Sequence, residues 1–442
     1  MTVLNQKSFG LARWVMPDVP LSVVERMARH YDLPEVIARI LCLRGVAFED
    51  VPAFLHPTLK DHFPDPFSLQ GMDSLAEYMV RAIVEKKSIA IFGDFDVDGA
   101  TSSAVLYRFL KHCGIEAPIY IPGRLTEGYG PNVQAFETLK AGGADIVFLL
   151  DCGTTAFETV RAGREMGLEI IILDHHEPEM TLPDAVHVIN PKRKDDASGL
   201  TMLAAVGVTF LTCVAFHNRL RVGGHYEVLG VRVPQMKDML DLVALGTVCD
   251  MVPLVGANRL FVRHGFAQMA RTNNVGLKAL IDVSGLKGEI TPYHAGFVLG
   301  PRINAGSRVH HSDLGARLLT LDDAQEAQNI AWTLNDCNAA RKEIQVQMEQ
   351  EAIAQVEARG LDGKPVIVVA QEGWHSGLSG LVAGRLKEKY GKPACVVTFV
   401  DVEQGPREAR GSGRSVAGIH IAESFIAARQ AGIIEKGGGH AM

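Results

Sequence analysis

The chain lacks the marks of a secreted, membrane-bound or cysteine-stapled protein. Its seven cysteines (Cys42, Cys113, Cys152, Cys213, Cys249, Cys337 and Cys395) are odd in number, and none is spaced as CxxC. That argues against a disulfide framework and against a zinc ribbon, and leaves small residues buried among apolar neighbours. No apolar run is long enough to span a bilayer, and Met1 to Pro17 lacks the charged-then-apolar plan of a signal peptide. A cytoplasmic protein with no membrane partner is the expectation. Sequence repeats and low-complexity tracts are also missing.

Positive charge is in short supply. Lys and Arg total 44 against 51 Asp and Glu, a net charge of -7. That balance weakens a nucleic-acid-binding reading without excluding it. A site built from several carboxylates adds negative charge that bound cations later neutralise. Local basic clusters exist at Lys192-Arg193-Lys194 and at Arg407, Arg410 and Arg414.

What is present is an alternation of strands and helices. Residues 1–70 hold Pro17, Pro20, Pro34, Pro52, Pro57, Pro64 and Pro66 among short helical stretches, and read as an N-terminal extension packed on the main domain. From residue 85, apolar runs at Ser88–Phe92, Ala117–Ile121, Asp145–Leu150, Glu169–Leu173 and His187–Ile189 alternate with helical segments such as Ala100–Cys113. Such units predict a mostly parallel sheet covered on both faces. The stretch 201–300 reads as mainly helical. Asp322 to Arg359 has no proline and predicts a helix of about 55 Å. A second α/β unit begins at Lys364. The expected fold class is therefore α/β: an extension over 1–70, a parallel-sheet domain over 71–330, a connecting helix over 331–360 and a smaller α/β domain over 361–442.

Chemistry-bearing residues collect where such a sheet places ligands, just past the strand ends. Gly93-Asp94-Phe95-Asp96-Val97-Asp98-Gly99 packs three carboxylates that repel one another unless a cation lies among them. Alone it is equally a polar turn. Asp151 ends the run Ile146–Leu150, where a single Asp commonly caps or turns. Asp174-His175-His176 ends another run and offers carboxylate and imidazole ligands suited to manganese or zinc. Asp250 follows Leu242–Val248 and, by itself, reads as a cap. Together these groups can hold two divalent cations of the kind that drive in-line phosphoryl displacement.

GDFDVDG at 93–99, DCGTT at 151–155, DHH at 174–176 and LDLVALGTVCDMVPL at 240–254 resemble, in order and separation, the motifs of the DHH phosphoesterases. Pro122-Gly123-Arg124, Glu127-Gly128-Tyr129-Gly130, Gly300-Pro301-Arg302-Ile303-Asn304-Ala305, Trp374-His375-Ser376-Gly377 and Gly411-Ser412-Gly413-Arg414-Ser415 resemble the RecJ-type exonuclease branch in particular. The resemblance covers most of residues 70–442. It implies a DHH domain over 71–330 and a DHHA1 domain over 361–442. It also implies a single-stranded-DNA-specific 5′→3′ exonuclease of DNA repair and recombination, using Mn2+ or Mg2+ as two divalent cations. A single-strand-binding protein or a helicase would be its companion.

By the same resemblance, Asp96, Asp98, Asp151, His175 and Asp250 are the metal ligands, with Asp151 bridging. Asp94 and Asp174 stand behind them or join them. His176 is a further ligand or touches the scissile phosphate. Arg124, Arg302, Asn304, Ser412, Arg414, His375 and His440 are the DNA-contacting candidates. Any single Arg among them, taken alone, reads as a surface ion pair. Trp374 reads as a base-stacking ring or a core residue. The closing Gly437-Gly438-Gly439-His440 resembles the start of the family's glycine–histidine motif, so a truncated chain without the family's OB-fold is expected.

Two rival readings remain in view. One is a small-substrate DHH enzyme, meaning a pyrophosphatase or an oligonucleotide or cyclic-dinucleotide phosphodiesterase. Such relatives carry a His four residues before the first DxD aspartate, where this chain has Phe92. The other is a non-catalytic replication scaffold that binds single-stranded DNA, which the full set of ligand candidates opposes.

Overall fold

The run Ile89-Ala90-Ile91-Phe92 has an apolar residue on both faces, the pattern of a strand covered on both sides. The computed structural model describes residues 2–7, 13–400, 408–435 and 437, and it forms that strand within a five-stranded parallel sheet. An antiparallel pair, β1 (Thr2–Lys7) and β2 (Arg13–Met16), comes first in the chain. The sheet itself comprises β3 (Ile89–Gly93), β4 (Ile119–Tyr120), β5 (Ile146–Leu150), β6 (Glu169–Leu173) and β7 (His187–Ile189), in the spatial order β4-β3-β5-β6-β7.

Alternation along each strand divides the core. Ile89, Ile91, Ile146, Phe148, Leu150, Ile171 and Leu173 face a large helical layer that includes Val206, Phe210 and Val243. Ala90, Phe92, Val147, Leu149, Ile170 and Ile172 face a smaller layer with Phe136 and Val160. The strand order reverses between β3 and β5. A crevice opens beyond the carboxyl ends of the strands at such a reversal, and it is the favoured ligand position in this architecture.

The helix Ala324–Ala358 runs 35 residues, filling the proline-free stretch Asp322 to Arg359. Ala327, Ile330, Ala331 and Leu334 from its first half belong to the large core. Met348, Ala352 and Val356 from its second half pack with Ile367, Val369, Leu378, Val382 and Val396. That second core lies under β8 (Ile367–Gln371), β9 (Ala394–Val400) and β10 (Glu408–Arg414), with β9 parallel to β8 and antiparallel to β10. Near the N-terminus, Val24, Met27, Ala38, Leu41 and Val51 form their own small cluster. It is tied down by Arg263 donating to the Leu55 carbonyl at 2.6 Å and by Arg259 lying 3.8 Å over the Phe54 ring.

The turn after β3 depends on a glycine. A Cβ at Gly99 would lie 2.7 Å from the Asp94 nitrogen and 2.6 Å from its carbonyl carbon, so the first helical turn packs backbone to backbone. Gly99→Ala should therefore cost about 1–3 kcal/mol of stability through overpacking. Urea unfolding in EDTA would measure it, and an unchanged midpoint would show that the close approach is dispensable.

Candidate metal centre

Asp96 caps the helix Val97–His112. Its Oδ1 accepts from the Asp98 and Gly99 amides at 2.9 and 3.2 Å. Asp98, the second residue of that helix, is buried and accepts from the Ala205 and Val206 amides at 2.7 and 2.9 Å. Those amides open the helix Ala205–Val222, whose positive end suits a carboxylate. Asp151 follows β5 with φ of +61°, in the left-handed region where non-glycine residues are uncommon. Strain of this kind concentrates at functional sites.

After β6 the Asp174 carboxylate gathers four donors. They are the amides of Thr154, His175 and His176 at 3.0, 2.7 and 3.1 Å, and His176 Nδ1 at 2.8 Å. His175 Nε2 lies 3.3 Å from Asp151 Oδ1, 3.6 Å from Asp250 Oδ2 and 3.8 Å from Asp98 Oδ2. Asp250 enters from the end of the helix Leu240–Cys249, not from a strand, so the cluster draws on three strand ends and one helix end. Tyr129 lies edge-on to the His176 ring at 5.8 Å and donates to the Asp151 carbonyl at 3.2 Å.

Burial raises the Asp98 and Asp151 carboxyls well above their usual range, and their carboxylate neighbours add to it. Burial and then the charge of Asp96 push Asp94 up to about 8 and Asp250 up to about 7. Burial lowers His175 to about 4. Burial works in the opposite direction on Asp174 and His176, but their mutual hydrogen bond outweighs it. Asp174 is held well below the usual range and His176 is raised. Among the described residues, the buried atoms Asp94 Oδ1, Asp151 Oδ1, Asp250 Oδ2 and His175 Nε2 make no hydrogen bond. Each bare buried polar atom costs about 1–3 kcal/mol, which a cation would recover. Three triads have ligand atoms within 4.8 Å of one another: Asp94-Asp96-Asp151, Asp151-His175-His176 and Asp98-His175-Asp250. The donor set fits hard or borderline divalent cations, and Asp151 is shared by two triads.

Cations gather on the facing wall. Arg124 lies 4.4 Å over the Phe95 ring. Arg308 donates to the Gly377 carbonyl at 2.8 Å; burial lowers it to about 9, helped by the charges of Arg124, Arg341 and Arg414. No ion pair to a carboxylate involves any of these four arginines among the described residues. Arg414 occupies space that a Cβ at Gly380 would enter, 2.9 Å from its Nη2. Asp94 and Asp96 act on Arg124 only from beyond ion-pair distance, and a group of like charges whose hydrogen-bonding edges meet no carboxylate is a site for an anion.

The structure thus brings Asp94, Asp96, Asp98, Asp151, Asp174, His175, His176 and Asp250 together, and sets Arg124 beside Asp94 and Asp96, with Arg414 next to Arg124. Arg302 stands apart, bonded to the Val298 carbonyl and Asn335 at 2.7 and 3.2 Å. Asn304 Oδ1 and His375 Nδ1 are buried without a partner. Ser412 lies on β10 beside Arg414. His440 lies outside the described residues. Trp374 is a core residue, 6% exposed and donating to Glu351 at 2.7 Å. Arg308 and Arg341 were not singled out from sequence, although Arg308 ends the helix that holds Arg302 and Asn304. Lys192 and Arg193 are paired with Glu177 and Asp195, so that basic run is largely neutralised.

Comparison with known proteins agrees with this geometry. The DHH family, N-terminal domain, matches residues 88–247, and the DHHA1 domain matches 363–442. The single-stranded-DNA-specific exonuclease RecJ of Bacillus subtilis (strain 168) is 36% identical, over 97% of this chain and 52% of the relative. That of Salmonella typhimurium is 33% identical, over 93% of this chain and 71% of the relative. The chain thus spans about half the length of the first. The crystal structure of RecJ in complex with Mn2+ from Thermus thermophilus aligns with a TM-score of 0.79 at 30% identity, covering 96% of this chain and 58% of that one.

The raised carboxyls predict a pH response. Asp94 and Asp250 keep protons in the metal-free fold that the unfolded chain releases near pH 4. The stability they lend is lost as pH rises through about 7 to 8. His175 opposes this only below about pH 6.5, where its ring titrates in the unfolded chain. In EDTA the Tm should fall between about pH 6.5 and 8. With Mn2+ the fall should shrink or reverse, because ligands bind ionised. Asp94→Asn should flatten the metal-free slope. A metal-free Tm that rises over this window would contradict the assignment.

Proposed function

The chain belongs to the RecJ family of single-stranded-DNA-specific exonucleases, and from that premise we propose that it hydrolyses single-stranded DNA from the 5′ end with two divalent cations, Mn2+ or Mg2+. One observation carries the reading. A carboxylate–imidazole cluster with bare buried ligand atoms faces four arginines without carboxylate partners. Such a cleft suits cations on one wall and a phosphate chain on the other.

The proposed ligands are Asp96, Asp98, Asp151, His175 and Asp250, with Asp151 bridging, and Asp94 behind them. Cations held there would supply Lewis acidity for in-line displacement at phosphorus. Asp174 fixes the His176 ring and keeps it protonated more readily, which suits contact with the scissile phosphate. Arg124, Arg308 and Arg414 would hold the terminal 5′-phosphate, with Ser412 and the Arg302–Asn304 segment along the strand. Residues 71–330 and 361–442 would be the two working domains, joined by the long helix. Phe92 is fully buried and stacked on Tyr120 at 5.7 Å, so no ligand enters from the position where small-substrate relatives carry His. Among the described residues, no helix is long and apolar enough to cross a membrane. The reading carries a cytoplasmic site of action, in repair and recombination, with a single-strand-binding protein or helicase supplying the strand.

The direct test is digestion of end-labelled single- and double-stranded DNA with Mn2+ or Mg2+. Metal-dependent release of 5′ mononucleotides from the single strand alone is expected. Asp151→Asn keeps a residue tolerant of positive φ but removes the charge. It should lower turnover at least about a hundredfold with little change in folding. Near-normal turnover with metal content unchanged would remove the two-cation scheme.

Arg414→Ala should slow 5′-phosphorylated oligonucleotides far more than matched 5′-hydroxyl ones. The loss should be about 1.5–3 kcal/mol, roughly ten- to a hundredfold. Arg414→Lys should restore only part of it, keeping the charge but losing the planar fork. Equal slowing of both substrates would take the terminal phosphate away from Arg414.

A further inference from the structure

One unbroken helix runs from Pro292 to Val309, with a π-helical turn at Ala295–Leu299. Pro301 accounts for that turn. In a regular helix its ring would press on the Phe297 carbonyl, and it has no amide hydrogen to donate there. Before Pro301 stand Tyr293 and Phe297, two large rings 63% and 67% exposed. They stack on each other, with centroids 5.0 Å apart and planes inclined by 28°. Nothing in the described fold covers them, whereas Ala295, Leu299 and Ile303 of the same helix are buried in the large core. Asn304 and Arg308 follow, and Arg308 belongs to the arginine cluster. The helix also passes backbone-close to the metal cluster: Cys249 Sγ donates to the Ala295 carbonyl at 3.4 Å, and Asp250 is the next residue.

We propose that Tyr293 and Phe297 form a stacking platform for bases of the single strand downstream of the scissile phosphodiester. The proposal rests on the exonuclease reading above and extends it to the strand's exit. Order along the helix supports it. Arg308 stands at the end nearest the anion pocket, Arg302 and Asn304 lie between, and the aromatic pair stands at the far end. At roughly 1.5 Å per residue this ridge is about 22 Å long. It leads from a phosphate-holding end, past Asp250, to a pair of open ring faces. Every base has a π-face, so such a platform holds a strand without reading its sequence. A protein partner would leave the alignment with the anion pocket unaccounted for.

The test compares Tyr293→Ala/Phe297→Ala with the wild-type chain on a dinucleotide and a 20-mer of deoxythymidylate. The ratio of kcat/KM for the 20-mer to that for the dinucleotide should fall about tenfold or more. Affinity for a labelled 20-mer in EDTA should fall likewise, with an unchanged slope of log Kd against log salt, because stacking releases no counterions. Phe297→Leu keeps apolar bulk and should lose most of the effect of the ring. Both rings are exposed, so folding is spared; Tyr293→Trp provides a second check, since oligothymidylate should quench its added fluorescence. If the wild type degrades DNA and neither the ratio nor the affinity moves, the platform is refuted while the exonuclease reading stands. If no DNA is degraded but affinity falls in the variant, the exonuclease reading fails and the platform survives as a single-strand site. A loss of self-association in the variant, with DNA affinity intact, would assign the rings to a second copy of the chain and overturn the proposal.

Discussion

Mutual repulsion among buried carboxylates governs this molecule. Asp94, Asp98 and Asp151 are all buried, and Asp96 and Asp250 lie against them. Burying several such charges is unfavourable unless cations or donors compensate. The fold supplies what donors it can. Two amides at a helix start hold Asp98, two more hold Asp96, and four donors hold Asp174. What stays uncompensated is confined to the atoms that converge around His175 and Asp151. The strand reversal between β3 and β5 makes this arrangement possible, because it opens a crevice where helix starts and strand ends meet without a crossing connection.

The second constraint is distance. The long helix is embedded in both cores, so the second sheet is carried on the first domain's framework. Two contacts close the gap beside the metal cluster. Arg308 donates to the Gly377 carbonyl at 2.8 Å, and Arg410 donates to the Leu125 carbonyl at 3.0 Å, next to Arg124. The arginine cluster is therefore composite: Arg124 and Arg308 come from the first domain, Arg341 from the long helix and Arg414 from β10. On the proposed reading, the spacing between chain-end phosphate and scissile bond is set by helix and sheet packing, not by a loop. Sites built on such elements hold geometry better than loops do.

Much of this was legible in the sequence, and the reasons differ by residue. GDFDVDG, DCGTT and DHH each follow a short, continuous apolar run, and those runs located three strand ends and their carboxylates. The parallel α/β class followed from the alternation of such runs with helical segments, and the long helix from its lack of proline. Asp250 was identified as a ligand candidate inside a stretch read as mainly helical, and it stands at the end of the helix Leu240–Cys249. Arg308 and Arg341 were missed because a guanidinium shows its role only through what is absent around it. No local pattern records that a guanidinium lacks a carboxylate within ion-pair distance. For Trp374 the sequence left two readings open, a stacking ring or a core residue, and its burial and its bond to Glu351 select the core.

The adjacent histidines show how far environment divides identical chemistry. His175 and His176 share a backbone turn, with ring centroids 4.7 Å apart. His175 points into the buried carboxylates, and burial lowers it to about 4, so at neutral pH it is an uncharged imidazole able to ligate. His176 is pinned through Nδ1 by Asp174, which raises it against the effect of burial. Its second nitrogen then belongs to a ring more readily charged, suited to an anionic oxygen. Asp174 keeps its charge because three amides and a ring hold it, and it makes its side-chain hydrogen bond to the His176 ring alone. Replacing Asp174 would thus disturb His176 first, and would reach the cations only through the turn that both histidines share.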